Sequence, residues 1–297
     1  MLLTGDIVIN YSRLDPNNTT EDAKKHGDFL EKATNAVPRW YEVGAVRYRE
    51  MIEAGDVGGL KPVNLAEAQE INIPSREPGR DIPVRVYKLD NGEASKGILL
   101  HIHGGGYTIG SHRHIDGLLK FYANTCQVTA LSAGYRLAPE HPWPAGCEDC
   151  IDVAEHLADG GGAAYGGKLL FLAGESSGAN LAILTAFELL RSRPAHVPRG
   201  LVLPYGNYSI APGLPSMEST SWTCTRRGGR RNPLASPLFE DLRGLAESTP
   251  DKKLPPALFM VGTNDPVLDD TLLMGVKWLA SGSEAIVKIF PGGSARV

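Results

Sequence analysis

The 297-residue sequence has few cysteines, which limits the kinds of protein it can be. Its four cysteines are Cys126, Cys147, Cys150 and Cys224. They are too few and too clustered to form a disulfide scaffold. The Cys147-x-x-Cys150 pair has no second cysteine or histidine pair at metal-ligand spacing, so we expect no zinc site. We predict that the protein uses neither a metal nor another cofactor.

The sequence also lacks excess positive charge and long apolar runs. Lysine and arginine number 30 against 34 acidic residues, which leaves no broad basic field for nucleic acid or an anionic membrane. No apolar run approaches the ~20 residues of a membrane-spanning helix. The N-terminus reaches Asp6 before a secretory signal develops. We therefore expect a cytoplasmic protein with no membrane span and no nucleic-acid partner, and the sequence leaves its oligomeric state open.

One short segment, residues 224–233, is locally basic. It has no interleaved aromatic residues, which nucleic-acid-binding segments use for stacking. We interpret it as a solvated loop.

Short apolar runs alternate with segments of helical length through most of the chain. Runs buried on both faces are typical of parallel strands, and this alternation indicates βαβ units. An upstream pair of alternating runs, 70–74 and 84–87, predicts an antiparallel pair at the edge of the sheet. The tally is eight strands, mostly parallel, with helices on both faces. The apolar runs are 98–102, 128–133, 169–173, 201–203, 257–261 and 286–290.

The first 60 residues have apolar residues at helical spacing, which predicts helices. Thr19-x-x-Asp22 resembles a capping box at the start of a first helix. A second helix is predicted over residues 39–54.

A G-x-S-x-G string lies between the predicted strand 169–173 and the helix that follows it. The string alone is a weak motif, but between a strand and a helix it predicts a nucleophile elbow. In such an elbow a sharp turn exposes the Ser176 hydroxyl at the carboxyl end of the strand. The alternative is a glycine-rich helix N-terminus with a capping serine. The string is Gly174-Glu175-Ser176-Ser177-Gly178.

The string His103-Gly104-Gly105-Gly106 follows the strand 98–102 and is a stronger signal. Acyl transfer builds negative charge on a carbonyl oxygen, and backbone N–H groups stabilise that charge best where no side chain blocks their approach. The glycines therefore predict an oxyanion hole whose donors are the N–H groups of Gly105, Gly106 and Ser177. The glycine spacing does not fit a dinucleotide fold or a phosphate loop.

Asp265 is the candidate acid for this nucleophile. It directly follows the buried run 257–261 and comes after Ser176 in the chain, as expected for the order serine, acid, histidine. An acid in this place orients the base and stabilises its charged form. Asp269 and Asp270 are nearby alternatives, and any of the three could instead cap the next helix.

Together with the string Tyr-Arg-Leu-Ala-Pro-Glu at 135–140, these motifs resemble the hormone-sensitive-lipase-like family of α/β-hydrolases. The resemblance covers roughly residues 98–290. It implies an α/β-hydrolase fold with a mostly parallel eight-stranded sheet. Residues 1–60 would form a small N-terminal helical cap segment, and residues 61–297 the α/β-hydrolase domain.

The same resemblance implies an activity and a set of site residues. The activity is hydrolysis of carboxylic esters with short to medium acyl chains, so the expected partner is a small-molecule ester. The nucleophile falls on Ser176, the acid on Asp265 and the oxyanion loop on Gly104, Gly105 and Gly106. The 135–140 string is expected to support that loop from behind.

The histidine of this family has no counterpart here. It is expected after the last strand, in a phrase like Phe-Pro-Gly-x-x-His-Gly-Phe, where this sequence has Ala295 in the histidine position. All eight histidines precede Asp265. Two interpretations stay open. The hydrolase domain is C-terminally incomplete and belongs to an esterase impaired in this chain, or the protein is a catalytically dead, hydrolase-like binder of small ligands.

Overall fold

The computed structural model describes residues 9–57, 62–210 and 231–294, and eight strands in these ranges form one sheet. All the strands predicted from the sequence are present. Their bounds agree with the predicted ones to within a single residue, except that the second strand begins earlier, at Asp81. The strands are β1 Gln69–Pro74, β2 Asp81–Tyr87, β3 Ile98–Ile102, β4 Thr129–Ala133, β5 Leu169–Gly174, β6 Gly200–Pro204, β7 Ala257–Gly262 and β8 Ala285–Phe290.

The strands lie in the order β1-β2-β4-β3-β5-β6-β7-β8. All the strands from β3 to β8 run parallel to their neighbours within that group, whereas β2 is antiparallel to β1 and to β4. The mostly parallel eight-stranded sheet and its antiparallel edge pair are therefore confirmed. β3 and β4 are buried along their whole length, which is why their sequences are continuous apolar runs rather than alternating ones.

Helices cover both faces of the sheet. The largest core cluster lies on one face and includes Phe187 and Trp278, while Leu119 and Ala123 pack on the other face. The helices are α1 Glu21–Asn35, α2 Trp40–Val43, α3 Ala45–Ala54, α4 Asp116–Cys126, α5 Ala145–Ala158, α6 Ser177–Ser192, α7 Leu242–Glu247 and α8 Leu268–Ala280.

The N-terminal helices differ in detail from the prediction. The N-cap of α1 is Thr20, whose hydroxyl accepts a hydrogen bond from the Ala23 N–H at 3.2 Å, so the cap lies one residue later than the Thr19 string suggested. The helix predicted over 39–54 is two helices, α2 and α3. They are separated by Gly44 at φ 88°, ψ 147°, a conformation that favours glycine and breaks the helical path. The division into a cap segment and a hydrolase domain stays a prediction.

The predicted site residues lie at the carboxyl ends of the parallel strands. These ends meet at one edge of the sheet, so the loops that follow β3, β5, β6, β7 and β8 lie side by side. Every site residue predicted from the sequence belongs to one of these loops or to the start of α6. No helix in the described ranges has both the length and the apolar character needed to cross a membrane. Most of the basic 224–233 segment lies outside the described residues.

Candidate active site

Ser176 occupies a strained turn between β5 and α6. Its backbone has φ 55° and ψ −122°, in a region that non-glycine residues rarely adopt and that costs on the order of 1–3 kcal/mol. The Ser176 N–H donates to Pro204 O at 3.2 Å, and the Gly178 N–H donates to Glu175 O at 2.8 Å, which closes the turn. Main-chain bonds of this kind hold the residue in its strained conformation.

The two glycines of the G-x-S-x-G string bring the turn against β3. A Cβ atom added to Gly174 would lie 2.6 Å from Ile102 O, and one added to Gly178 would lie 2.6 Å from His103 O. Both distances are shorter than real Cβ contacts. Glycine is therefore needed at these positions for α6 and the end of β3 to approach so closely.

The glycine loop after β3 faces the serine turn. A Cβ on Gly104 would lie 3.3 Å from the Ser176 Cβ and 2.8 Å from Glu175 O. Gly105 and Gly106 have φ 115° and 59°, which L side chains rarely adopt. The structure therefore brings the predicted oxyanion loop next to the predicted nucleophile, and glycine is required there both for space and for backbone conformation.

Ser177 connects this loop to the helix. It is the first residue of α6, and its hydroxyl accepts a hydrogen bond from the Tyr107 N–H at 3.3 Å. The N–H groups of the first helical turn have no partner within the helix, and the helix dipole adds partial positive charge at this end. An anion placed between the glycine loop and Ser177 is stabilised by both effects.

Glu175 and the buried His101 form a hydrogen-bonded pair beside the glycine loop, and sequence reasoning missed this pair. Glu175 Oε1 accepts the Gly104 N–H at 2.7 Å, and Oε2 accepts from His101 Nε2 at 2.7 Å. Burial raises the pKa of Glu175, but its interactions with His101 and the Gly104 N–H outweigh burial and leave the pKa below its ordinary value. Because Gly104 gives its N–H to Glu175, we expect it to contribute space rather than a donor to the predicted oxyanion hole. The missed signal was a histidine in a wholly buried strand, which needs a polar partner.

His103 and the 135–140 string support the loop. Burial lowers the pKa of His103 to about 3, so its imidazole is neutral, and its Nδ1–H donates to Gly104 O at 2.8 Å. The ring stacks on Tyr135 with 4.3 Å between centroids, and the Tyr135 hydroxyl donates to His103 O at 2.9 Å. The Ala138 N–H donates to Tyr107 O at 2.9 Å. These contacts agree with the supporting role expected of the string.

Asp265 follows β7 at the same edge of the sheet and is buried. Its Oδ1 accepts the Val267 N–H at 3.0 Å, so it does cap the turn before α8. β6 separates β7 from β5, which puts the ends of the two strands about 10 Å apart. Tyr205, after β6, lies near this gap. Burial raises the pKa of Tyr205, and the charges of Glu175 and Asp265 raise it further.

The loop after β8 is bonded to the residues just before the predicted acid. The Asn264 N–H donates to Gly293 O at 3.0 Å, and the Gly292 N–H donates to Thr263 Oγ1 at 2.8 Å. Ala295, in the position expected for the histidine, lies outside the described residues. The loop that leads to position 295 therefore runs beside the predicted acid.

Asp270, an alternative acid, is fully buried in α8, and its carboxylate accepts hydrogen bonds from the main chain. Its Oδ2 accepts the N–H groups of Tyr208 and Ser209 at 2.8 and 3.0 Å. Burial raises the pKa of Asp270 to about 7, although these two hydrogen bonds oppose the shift. Asp269 lies half-buried in the first turn of the same helix. Their places in α8 leave Asp265 as the aspartate nearest the strand end.

The buried charge of Asp270 predicts a pH-dependent stability. Its pKa of about 7 in the folded protein lies above its ordinary value of 3.8. Folding therefore takes up protons, and the stabilisation present below about pH 4 is lost as the pH rises to about 7. We expect Asp270→Asn, measured by thermal unfolding from pH 4 to 8, to gain Tm relative to the parent as the pH rises. A Tm difference that stays constant across this range would contradict the prediction.

The chain is similar to a known protein family and to several esterases. Residues 99–294 match the model of a family described as alpha/beta hydrolase fold. An esterase from Acinetobacter venetianus is 31% identical over 192 residues, which cover 59% of this chain and 58% of that protein. An ethyl acetate hydrolase from Pseudomonas putida is 25% identical over 284 residues, covering 82% and 88%.

A solved structure is also similar over most of the chain. The esterase from the archaeon Pyrobaculum calidifontis superposes with a TM-score of 0.75 at 26% identity, covering 93% of this chain and 90% of that one. The sequence match covers 58% of the Acinetobacter esterase, so this chain spans less than two thirds of the length of that protein.

Proposed function

This chain belongs to the α/β-hydrolase fold family, in the hormone-sensitive-lipase-like group, and from that membership we propose that it is a serine hydrolase of carboxylic esters with short to medium acyl chains. The observation that carries the proposal is the backbone of Ser176, strained at φ 55° on the turn between β5 and α6. Such strain persists where it serves a function, and here it faces a glycine loop. The names of the relatives, esterase and ethyl acetate hydrolase, support an ester as the substrate.

In the proposed reaction, the Ser176 hydroxyl oxygen attacks the ester carbonyl carbon, and its proton passes to a base. The tetrahedral intermediate expels the alcohol, which takes the proton back, and leaves an acyl group on Ser176. Water then attacks this acyl-enzyme by the same route and releases the carboxylic acid. The negative charge that forms on the carbonyl oxygen is received by the N–H groups of Gly105, Gly106 and Ser177.

Asp265 would act through the base by orienting it and stabilising its charged form. Ala295 stands in the position where the family has the histidine base. Loss of the base lowers kcat by something on the order of 10⁶-fold and leaves the oxyanion hole and substrate binding as the sources of rate enhancement. We therefore propose that the 297-residue chain is impaired as an esterase. The proposed frame is a helical cap segment, 1–60, over a hydrolase domain, 61–297.

The test uses a series of p-nitrophenyl esters graded by acyl length. Release of nitrophenol measures turnover, and mass spectrometry of the intact protein monitors slow acylation. We expect slow release of nitrophenol from the shorter esters and an acyl adduct on Ser176. Ser176→Ala should lose both. Ser192→Ala is the matched control, since it removes a hydroxyl from the opposite end of the same helix. Turnover that survives in Ser176→Ala would refute the assignment.

The second candidate function is binding without catalysis, and the alanine at position 295 favours it. A hydrolase pocket without its base can hold a small ligand. Calorimetric titration with short-chain carboxylates and with non-hydrolysable ester analogues separates the two candidates. Tight binding together with no acyl adduct on Ser176 supports the binding protein, whereas slow adduct formation supports the impaired esterase.

A further inference from the structure

The side chain of Arg49 ties the N-terminal helices to the predicted oxyanion loop. Arg49 lies on α3, and its Nε donates to Thr108 O at 2.8 Å. Its Nη2 donates to Ala138 O at 2.7 Å. Thr108 belongs to the turn that follows the three glycines, and Ala138 belongs to the string that supports the loop. One side chain therefore holds three segments that are far apart in the sequence.

An ion pair fixes the orientation of this guanidinium. Nη1 and Nη2 of Arg49 donate to the two carboxylate oxygens of Glu140 at 3.1 and 2.9 Å. The hydrogen bond from Arg49 lowers the pKa of Glu140, so the carboxylate stays charged. A two-point arginine–carboxylate contact sets direction as well as distance, which a lysine in the same place does not do.

A second contact lies one helical turn further along α3. The Glu53 carboxylate accepts from His114 Nε2 at 2.7 Å. Residues four apart on a helix share one face, so Arg49 and Glu53 present the same side of α3 to the segment 108–114. This face of the helix docks on the chain that leaves the oxyanion loop.

A short hydrogen-bonded turn connects Thr108 to the glycine loop. The N–H groups of Thr108 and Ile109 both donate to Gly105 O, at 3.0 and 2.9 Å. The Thr108 hydroxyl donates to Gly106 O at 3.2 Å. The Gly105 carbonyl shares its peptide plane with the Gly106 N–H, so these bonds also hold that predicted donor. The Gly106 carbonyl shares its plane with the Tyr107 N–H, which donates to the Ser177 hydroxyl. A shift of Thr108 is therefore passed on to the loop.

We propose that Arg49 is a positioning residue of the oxyanion hole, which couples the docking of α3 to the alignment of the Gly106 N–H group. The inference rests on the proposed function in so far as this group forms part of an oxyanion hole. When α3 is docked, Arg49 satisfies the buried carbonyl of Thr108 and the turn is closed. When α3 moves away, that carbonyl loses its charged donor and the loop loosens.

Hydrogen exchange measured by mass spectrometry tests the coupling without any need for turnover. In Arg49→Gln we expect the amides of segment 103–110 to exchange about 10-fold faster, because a hydrogen bond from a charged group has been lost from a buried carbonyl. Strand β5 should keep its protection. Arg47→Gln is the matched control, since Arg47 forms its ion pair with Glu50 on the same helix, and it should exchange like the parent. Unchanged exchange over 103–110 in Arg49→Gln overturns the proposal.

A second, more conservative variant distinguishes a local effect on the loop from a general loss of folding. If Arg49→Gln also exposes β5, Arg49→Lys decides the matter, because lysine keeps the positive charge beside Glu140 but cannot reproduce the planar set of contacts to Thr108 O, Ala138 O and the carboxylate. Faster exchange confined to 103–110 then supports the coupling, and parental exchange there overturns it. The proposed function fails separately, through the absence of a Ser176 adduct, and that failure leaves the exchange result standing.

The affinity for an oxyanion mimic tests whether Arg49 aligns the donors, because a purely structural role for Arg49 would not affect that affinity selectively. The carbonyl carbon of a trifluoromethyl ketone takes up the Ser176 hydroxyl oxygen, the hydroxyl proton passes to solvent water, and the former carbonyl oxygen lies in the hole as an oxyanion. The parent methyl ketone binds without that charge. We expect Arg49→Gln to lose about 10-fold in affinity for the trifluoromethyl ketone and little for the methyl ketone. Equal losses for the two ligands would mean that Arg49 shapes the pocket without aligning the donors, and this would overturn the proposal.

Discussion

Ala295→His is expected to raise kcat for p-nitrophenyl acetate by about 10²- to 10⁴-fold, the usual contribution of a positioned general base. The proposed nucleophile and acid stand at the ends of β5 and β7, with β6 between them. That gap of about 10 Å suits an imidazole that takes the proton of Ser176 on one nitrogen and is held by Asp265 on the other. The measurement is kcat at saturating ester.

The position of the substitution follows from the loop after β8. Gly293 accepts a hydrogen bond from Asn264, the residue that precedes Asp265. Position 295 follows Gly293 by two residues, which span at most about 7 Å of chain, and this short distance is the reason for choosing it. No other substitution in the chain is expected to increase turnover as much, because the remaining parts of the proposed machinery are present in the sequence.

Three controls separate general-base catalysis from other effects of the substitution. Ala295→Gln supplies a polar side chain of similar reach without a titrating group, and it should leave kcat near that of the parent. Combining Ala295→His with Ser176→Ala should abolish the gain. The gained activity should rise with pH through the ordinary histidine pKa of about 6.5, since the base works in its neutral form. An equal gain in Ala295→Gln, or a gain without Ser176, would contradict the prediction.

The sheet could be predicted from the sequence because each of its inner strands is buried on both faces. A continuous apolar run such as 98–102 leaves few alternatives, and the observed β3 has the predicted bounds. β2 was predicted too short. Its first half includes Pro83, which interrupts a strand pattern, yet the strand begins at Asp81.

The N-terminal helices were harder to predict because a single residue decides where they break. Gly44 inside an apolar periodic stretch is compatible with a continuous helix, and only its φ of 88° separates α2 from α3. Similarly, Thr19 and Thr20 are adjacent candidates for an N-cap. The choice of Thr20 depends on which hydroxyl reaches the Ala23 N–H in the folded chain.

The contacts that organise the proposed site were beyond sequence reasoning because they join distant segments. The motifs pointed to Ser176 and to the glycine loop, and the structure brings these together. No local pattern pairs His101 with Glu175, or Arg49 with Thr108, since these pairs form only after the sheet has assembled. Strand position hints at the first pair, whereas the second has no signal in a single sequence.

Gly178→Ala is expected to destabilise the protein by about 2–4 kcal/mol, although the substitution lies in a helix. In an open helix the same change gains up to about 1 kcal/mol, because alanine loses less backbone entropy than glycine on folding. At position 178 the new methyl group meets the carbonyl oxygens of Ile102 and His103. Backbone atoms cannot rotate away as a side chain can, so α6 must move off β3, and overpacking of this kind is costly.

Gly117→Ala is the matched control for that substitution. Gly117 is exposed near the start of α4, and a Cβ added there meets nothing within 4 Å. The two variants change the same atoms in opposite environments, so urea unfolding should lower the midpoint for Gly178→Ala and leave it equal or higher for Gly117→Ala. Because α6 carries Ser177 and begins at the serine turn, the destabilised variant should also acylate Ser176 more slowly. Equal midpoints for the two variants would mean that α6 and β3 are not in the close contact on which the whole site depends.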